Sequence, residues 1–311
     1  MILSVSRRTD IPNYYSEWFL NRINQGYLYV RNPMNPHQIS KVNLSPQVVD
    51  CIVFWTKNPE PMFRKLEKLK EYSYYFQFTL TGYGKDIEPG LPHKRDHMIG
   101  VFQELSNKIG RERVIWRYDP ILFNKRYTPD YHLKAFTEIA EKLNGYTEKV
   151  VISFVDSYAK NQKRMREIDV SEISMAEIAP FVGELKGIAE ANHMSIGTCA
   201  EKLDFSAYGL EHGSCIDQKL IEKIIGCAVS GKKDRNQRDV CGCMESIDVG
   251  AYDTCPNLCI YCYAMQKPEA VFERRKLYDP KAPLLCGEIG EGDRITERKM
   301  YPLKEGQHYL F

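Results

Sequence analysis

The run Cys51-Ile-Val-Phe-Trp55-Thr56-Lys57-Asn58 contains five apolar residues in succession and then a polar end. Residues 61–70 follow with helical patterning, so the pair predicts a strand and then a helix. Strands that alternate with helices pair in parallel through crossover connections. The other apolar, β-rich runs are residues 2–6, 74–80, 113–117, 150–155 and 193–197, and the other helical segments are residues 16–23, 96–109, 129–143 and 175–191. No G-x-G-x-x-G follows any of these runs, which favours a (β/α)6-type partial TIM barrel over an open doubly wound sheet.

Polar side chains follow nearly every predicted strand. In β/α barrels the chemistry lies at the carboxyl ends of the strands, so these side chains are expected to share one polar mouth. Each of them has a simpler interpretation as a solvated turn or a helix cap. The candidates are Asp10, Lys57, Thr79, Arg117, Asp119, Ser153, Asp156, Thr198 and Glu201.

Three cysteines lie within eight residues in Cys255-Pro-Asn-Leu-Cys259-Ile-Tyr261-Cys262. Thiolates hold iron–sulfur clusters, and a 4Fe–4S cluster with only three protein thiolates leaves one iron open to another ligand. Zinc sites generally use two paired hooks that close all four positions. The C-x3-C-x2-C spacing therefore favours a cluster, with structural zinc and inert core thiols as the alternatives.

A second set of cysteines precedes this loop: Cys199, Cys215, Cys241 and Cys243. Together they would complete a four-ligand site, either an auxiliary iron–sulfur cluster or a zinc ion. The alternative is that they are small buried apolar residues, as cysteines outside disulfides often are. Cys51, inside a predicted strand, and Cys227, in an apolar helix, are interpreted as core.

The cysteine loop, with an aromatic residue directly before its last thiol, resembles the signature of the radical S-adenosylmethionine (SAM) enzymes. Thr56-Lys57-Asn58 and Asp119-Pro120-Ile121 are similar to stretches of the spore-photoproduct-lyase-like branch. The chain also resembles the family called domain of unknown function 1848, whose C-terminal cysteines have been likened to the radical SAM loop.

The resemblance implies an oxygen-sensitive enzyme in which SAM binds the open iron of a 4Fe–4S cluster held by the loop cysteines. A flavodoxin- or ferredoxin-type protein would supply the electron, and the substrate is not specified. On charge complementarity we expect Arg117, Lys57 and Glu88 to hold the carboxylate and ribose of SAM. Tyr261 is expected to shield the cluster.

The order of the chain differs from that of radical SAM enzymes, which carry the loop after their first barrel strand. Here it follows all six predicted strand–helix units. Either residues 246–250 supply the first strand, or a C-terminal extension folds back over the barrel mouth. We therefore predict a barrel over residues 1–210, with a hairpin inserted at residues 27–44, and a cysteine-rich segment over residues 211–311 packed on the mouth.

The bulk composition limits the function classes. The chain has 311 residues and a net charge of +2, so nothing global favours a nucleic-acid or membrane partner. There is no signal-like N-terminus and no apolar run long enough for a membrane span, and ten cysteines fit the reducing cytoplasm. Two other functions stay open: an iron–sulfur electron-transfer or sensor protein without SAM, and a zinc-stabilised nucleic-acid-binding protein.

Overall fold

A computed structural model describes residues 1–305 except 92–94, 157, 172–173, 202 and 204. Its strands are β1 (Ile2–Val5), β2 (Tyr27–Arg31), β3 (Gln38–Asn43), β4 (Cys51–Thr56), β5 (Tyr74–Thr79), β6 (Val114–Ile121), β7 (Lys149–Phe154), β8 (Ser195–Cys199), β9 (Glu211–Gly213), β10 (Ser246–Asp248) and β11 (Arg294–Glu297). Its α-helices are α1 (Ile11–Tyr14), α2 (Ser16–Gln25), α3 (Arg95–Ile109), α4 (Pro129–Leu143), α5 (Gln162–Glu167), α6 (Met175–Ala191), α7 (Gln218–Ile225) and α8 (Pro268–Arg275).

Among the described residues, the main sheet has eight strands in the order β10-β1-β4-β5-β6-β7-β8-β9, and every neighbouring pair is parallel. The strand–helix alternation read from the sequence thus yields the predicted parallel α/β sheet. No pairing of β9 with β10 closes this sheet within the described ranges. Its curvature into a partial barrel stays a prediction.

The strands of the sheet centre are buried on both faces, as expected for parallel strands between layers of helices. In β4 five of the six residues are buried. Aromatic rings fill the space between the strands and the helices: Phe54 stacks on Phe76 at 4.7 Å between centroids, and Trp116 stacks on Phe136 of α4 at 4.6 Å. This packing fixes the direction in which the strands end, and so the position of the polar residues that follow them.

One local prediction is confirmed and one needs correction. The hairpin predicted over residues 27–44 is formed by β2 and β3, which pair antiparallel, and β11 extends it. Ser174 caps α6 through a capping box with Glu177. The segment predicted as a helix over residues 61–70 is a 3-10 helix, Glu60–Leu69, which follows Pro59 and has Pro61 in its first turn.

The segment after residue 210 contributes to the same sheet. β9 and β10 are its two edge strands, and β10 lies beside β1. The boundary predicted at residue 210 stays a prediction. Every helix in the described part of the chain falls short of the length and apolarity that crossing a bilayer requires.

Candidate metal and cofactor site

The carboxyl ends of the strands open into a cavity of about 540 Å³. Residues at or just after the carboxyl ends of β1, β4, β5, β6, β7 and β8 contribute to its wall, together with the cysteine loop. Lys57, Arg117 and Tyr261 line it, and so do all seven cysteines predicted as ligands: Cys199, Cys215, Cys241, Cys243, Cys255, Cys259 and Cys262. The structure therefore brings together at one mouth predicted site residues that are up to 252 positions apart in the chain, between Asp10 and Cys262.

We call Cys255, Cys259 and Cys262 the loop thiols. The strand that leads to them, β10, pairs in parallel with β1, with Ile2 opposite Ser246 and Ser4 opposite Asp248. This is the first of the two arrangements considered from the sequence, in which residues 246–250 supply the strand before the loop. The loop thus starts at the carboxyl end of a sheet strand, beside the ends of β1 and β4.

Asp248, the last residue of β10, ties the start of the loop to the end of β1. Its carboxylate accepts hydrogen bonds from Ser4 Oγ at 2.9 Å and Ser6 Oγ at 2.6 Å. The backbone N–H groups of Arg7, at 2.8 Å, and Gly250, at 3.0 Å, donate to the same carboxylate. These four hydrogen bonds to one carboxylate hold the chain after β1 against the chain after β10.

The first half of the loop is held against the segment after β5. Gly90 N–H donates to the Asn257 carbonyl at 3.0 Å, and Ile260 N–H donates to the Ile87 carbonyl at 2.9 Å. A Cβ on Gly90 would lie 2.1 Å from the Pro256 carbonyl oxygen, so only glycine permits this approach. The Asn257 side chain also donates to buried Asp10 at 3.1 Å.

Arg164 of α5 holds the second half of the loop. Its guanidinium donates to four main-chain carbonyl oxygens, at 3.0, 2.7, 3.0 and 2.9 Å: those of Ile260, Cys262, Met265 and Gln266. The five donors of a guanidinium suit several acceptors at once. The backbone on both sides of the last loop thiol is therefore anchored from outside the loop.

Lys57, Glu88 and Tyr261 form one buried group beside the loop thiols. Lys57 Nζ lies 2.9 Å from Glu88 Oε1, and Tyr261 Oη donates to the same oxygen. Burial has the largest single effect on Lys57 and lowers its pKa, but Glu88, Cys259 and Asp119 together outweigh it and the pKa is raised. Burial raises the pKa of Tyr261 well above its usual range, so the phenol stays neutral. The predicted shielding residue thus packs over the lysine, with the ammonium 5.6 Å from its ring centroid.

Arg117 lies in a different part of the cavity. It is only 4% exposed, and its Nε donates to Asp119 Oδ2 at 2.9 Å. Its Nη1 donates to the sulfur of Cys215 at 2.7 Å. The structure thus pairs Arg117 with Cys215 of the second cysteine set, whereas Lys57 pairs with Glu88.

We call Cys199, Cys215, Cys241 and Cys243 the upstream thiols. The sulfurs of Cys199 and Cys215 are 2.7 Å apart, and Ile216 N–H donates to Cys243 Sγ at 3.4 Å. Hydrogen bonds from the Cys215 and Cys241 thiols lower the pKa of Cys243 far below its usual range. Among the described residues, no group of three or more His, Cys, Asp or Glu side chains has the arrangement of a site for a single metal ion.

A family model described as Domain of unknown function (DUF1848) matches residues 2–264. The chain belongs to this family. The match begins at β1 and ends two residues after the last loop thiol, so it contains the whole main sheet and all seven cavity cysteines. No curated protein and no solved structure matches the chain.

Several residues that build the site in this DUF1848 member were not predicted from the sequence. Asp248 lay in a run that was considered only as a strand, and Asn257 was quoted as part of the loop without a role. Arg164 had no signal, because its acceptors are main-chain carbonyls that any sequence supplies. Arg7 also lines the cavity, and its buried Nη2 has no hydrogen-bond partner among the residues that the structure describes.

Proposed function

We propose that this protein is a radical SAM enzyme in which the loop thiols, Cys255, Cys259 and Cys262, hold a 4Fe–4S cluster. The observation that carries the proposal is the position of the loop. It follows a parallel strand of the main sheet, beside β1, and its three thiols line the cavity at the carboxyl ends of the strands. We further propose that the sheet curves as a partial TIM barrel, because its strand ends converge on that cavity.

The residues present fit such a cluster. None of the ten cysteines, all of them in the described ranges, forms a disulfide. The loop offers three thiols, and the main chain around them is held by Gly90, Ile87 and Arg164 rather than by the thiols themselves. When bound with SAM, the reduced cluster would supply an electron that cleaves SAM to methionine and a 5′-deoxyadenosyl radical, which takes hydrogen from the substrate.

The protein's own contribution would be to bind, orient and screen. Lys57 lines the cavity beside the loop, and one of its three donors is used by Glu88. We propose Lys57 as the cation that meets the SAM carboxylate, with Glu88 as a positioning residue that holds the ammonium in place. Arg117 is less suited to this role because its guanidinium is already bonded to Asp119 and Cys215.

The test is anaerobic purification and reconstitution, followed by assays for iron, acid-labile sulfide and zinc. The reduced protein is then incubated with SAM, and 5′-deoxyadenosine is measured by chromatography. We expect SAM cleavage that is lost in the C255A/C259A/C262A variant and kept in a C227S control. An intact loop cluster without SAM cleavage would refute the proposal and favour an electron-transfer or sensor protein, and zinc in place of iron would refute it as well.

Lys57→Gln tests the assigned contact with SAM. A charge-assisted hydrogen bond contributes about 1.5–3 kcal/mol, so its loss should weaken SAM binding roughly 10- to 100-fold. The measurement is the SAM concentration needed for half-maximal 5′-deoxyadenosine formation. If that concentration is unchanged while the iron content is normal, Lys57 does not contact SAM.

A further inference from the structure

We infer that the upstream thiols, Cys199, Cys215, Cys241 and Cys243, hold a second iron–sulfur cluster with four cysteine ligands. This inference does not depend on SAM chemistry at the loop. It concerns a different set of thiols in the same cavity and would stand for an electron-transfer protein too.

The first argument is convergence. The four cysteines come from three separate parts of the fold: the end of β8, the turn after β9 and the segment before β10. They nevertheless meet: the Cys199 and Cys215 sulfurs are 2.7 Å apart, and the N–H of Ile216, the residue after Cys215, donates to Cys243 Sγ at 3.4 Å. Three of them are at most 6% exposed, and all four line the cavity. Four cysteines are the full ligand set of a 4Fe–4S or 2Fe–2S cluster.

The second argument is charge. A buried guanidinium is costly unless it is paired, and Arg117 is almost completely buried. It donates to the Asp119 carboxylate, to Gln77 Oε1 at 3.3 Å and to the Cys215 sulfur. An inert apolar thiol has no need of a cation, whereas a cluster bound by four thiolates is anionic. Arg117 would thus offset the charge of the cluster, and the Ile216 N–H would donate to a ligand sulfur, as is common around iron–sulfur clusters.

Four thiolates are also the ligand set of a structural zinc ion. The assays for iron, sulfide and zinc in the test below therefore decide between the two.

The test uses the full chain with the loop thiols removed. The C255A/C259A/C262A variant is purified anaerobically and reconstituted, and iron, sulfide and zinc are assayed against the wild type and the C227S control. We expect about eight irons per wild-type chain and about four in the triple variant, if both clusters are of the 4Fe–4S type. Adding C241S and C243S to the triple variant should remove the remaining iron.

Two results would overturn the inference: a folded triple variant that holds no iron, or one that holds zinc. Circular dichroism establishes that the variant is folded. If it is not, electron paramagnetic resonance of the reduced wild type decides, because two clusters give two signals and SAM would change only the one at the loop. A single signal with about four irons per chain would overturn the inference. Failure of SAM cleavage alone would refute the proposed function and leave the second cluster in place.

Arg117→Gln in the triple-variant background tests the electrostatic role of the arginine. Removing a positive charge and a hydrogen bond to sulfur destabilises the reduced, more negative cluster. We expect a lower reduction potential at unchanged iron content, measured by anaerobic redox titration. An unchanged potential would contradict the assigned contact between Arg117 and the cluster.

Discussion

Arg164→Ala is expected to loosen the cysteine loop without touching any thiol. The wild-type guanidinium donates to four loop carbonyls between 2.7 and 3.0 Å. Buried hydrogen bonds of a charged group contribute about 1.5–3 kcal/mol each. Because Arg164 is only partly buried, water would replace much of what is lost, and about 0.5 kcal/mol for each bond is a better measure. The ordered loop should therefore lose about 2 kcal/mol, roughly a 30-fold change in its opening equilibrium.

Hydrogen exchange of the loop amides measures this opening directly. In the metal-free protein we expect the amides of residues 259–266 to exchange roughly 30-fold faster in Arg164→Ala, while amides in β4 to β7 keep their rates. In the reconstituted protein the variant should lose iron faster to a ferrous chelator. Lys163→Ala is the matched control, since Lys163 is the exposed neighbour on the same helix. Exchange at the wild-type rate would refute the role of Arg164 in holding the loop.

Three further perturbations test the surroundings of the site. Gly90→Ala would place a methyl group 2.1 Å from the Pro256 carbonyl oxygen, so we expect a loss of about 1–3 kcal/mol in urea unfolding and a lower iron content, whereas Gly100→Ala, in open space on α3, should be neutral or stabilising. Asp10→Asn would turn an acceptor of four hydrogen bonds partly into a donor and should cost on the order of 1–3 kcal/mol in the same assay. Burial lowers the pKa of His132 to about 4, so the unfolded chain takes up this proton first as the pH falls below about 6.5. The contribution of His132 to stability should then fall by about 1.6 kcal/mol between pH 6.5 and pH 5. It is measured as the difference between wild type and His132→Gln, because burial raises the pKa of Glu201 to about 7 and this group titrates in the same range. Equal pH slopes for the two proteins would contradict the role of His132.

The parts of the fold that the sequence predicts well are those whose burial is uniform along the element. β4 and β5 are apolar on both faces because helices cover the sheet, and such runs stand out in any sequence. β9 and β10 have three residues each, too few for a pattern, and they pair because a neighbouring edge is available. The 3-10 geometry of Glu60–Leu69 was missed because apolar spacing does not distinguish it from an α-helix.

The location of the candidate site could be predicted from the sequence, but the contacts of its residues could not. The rule that chemistry lies at the carboxyl ends of parallel strands placed Lys57, Arg117 and Cys199 at one mouth, and the structure has them there. It could not assign partners, because these depend on side-chain direction at each strand end. The contact of Arg117 with SAM stays a prediction, and its contacts in the structure, with Asp119 and Cys215, had no signal in the sequence.

The late position of the cysteine loop in the chain has a simple geometric explanation. A parallel strand at the edge of a sheet needs only one neighbouring strand. That edge strand can therefore come from an early or a late part of the chain. β10 takes the place beside β1. Asp248 accepts hydrogen bonds from Ser4, Ser6 and the backbone N–H of Arg7, so these bonds hold together two strands that are far apart in the chain. The loop then leaves β10 above the same strand ends that it would face if it came first. The position of the loop thiols at the cavity depends on this order of strands in the sheet, and the order of the strands along the chain can change without altering it.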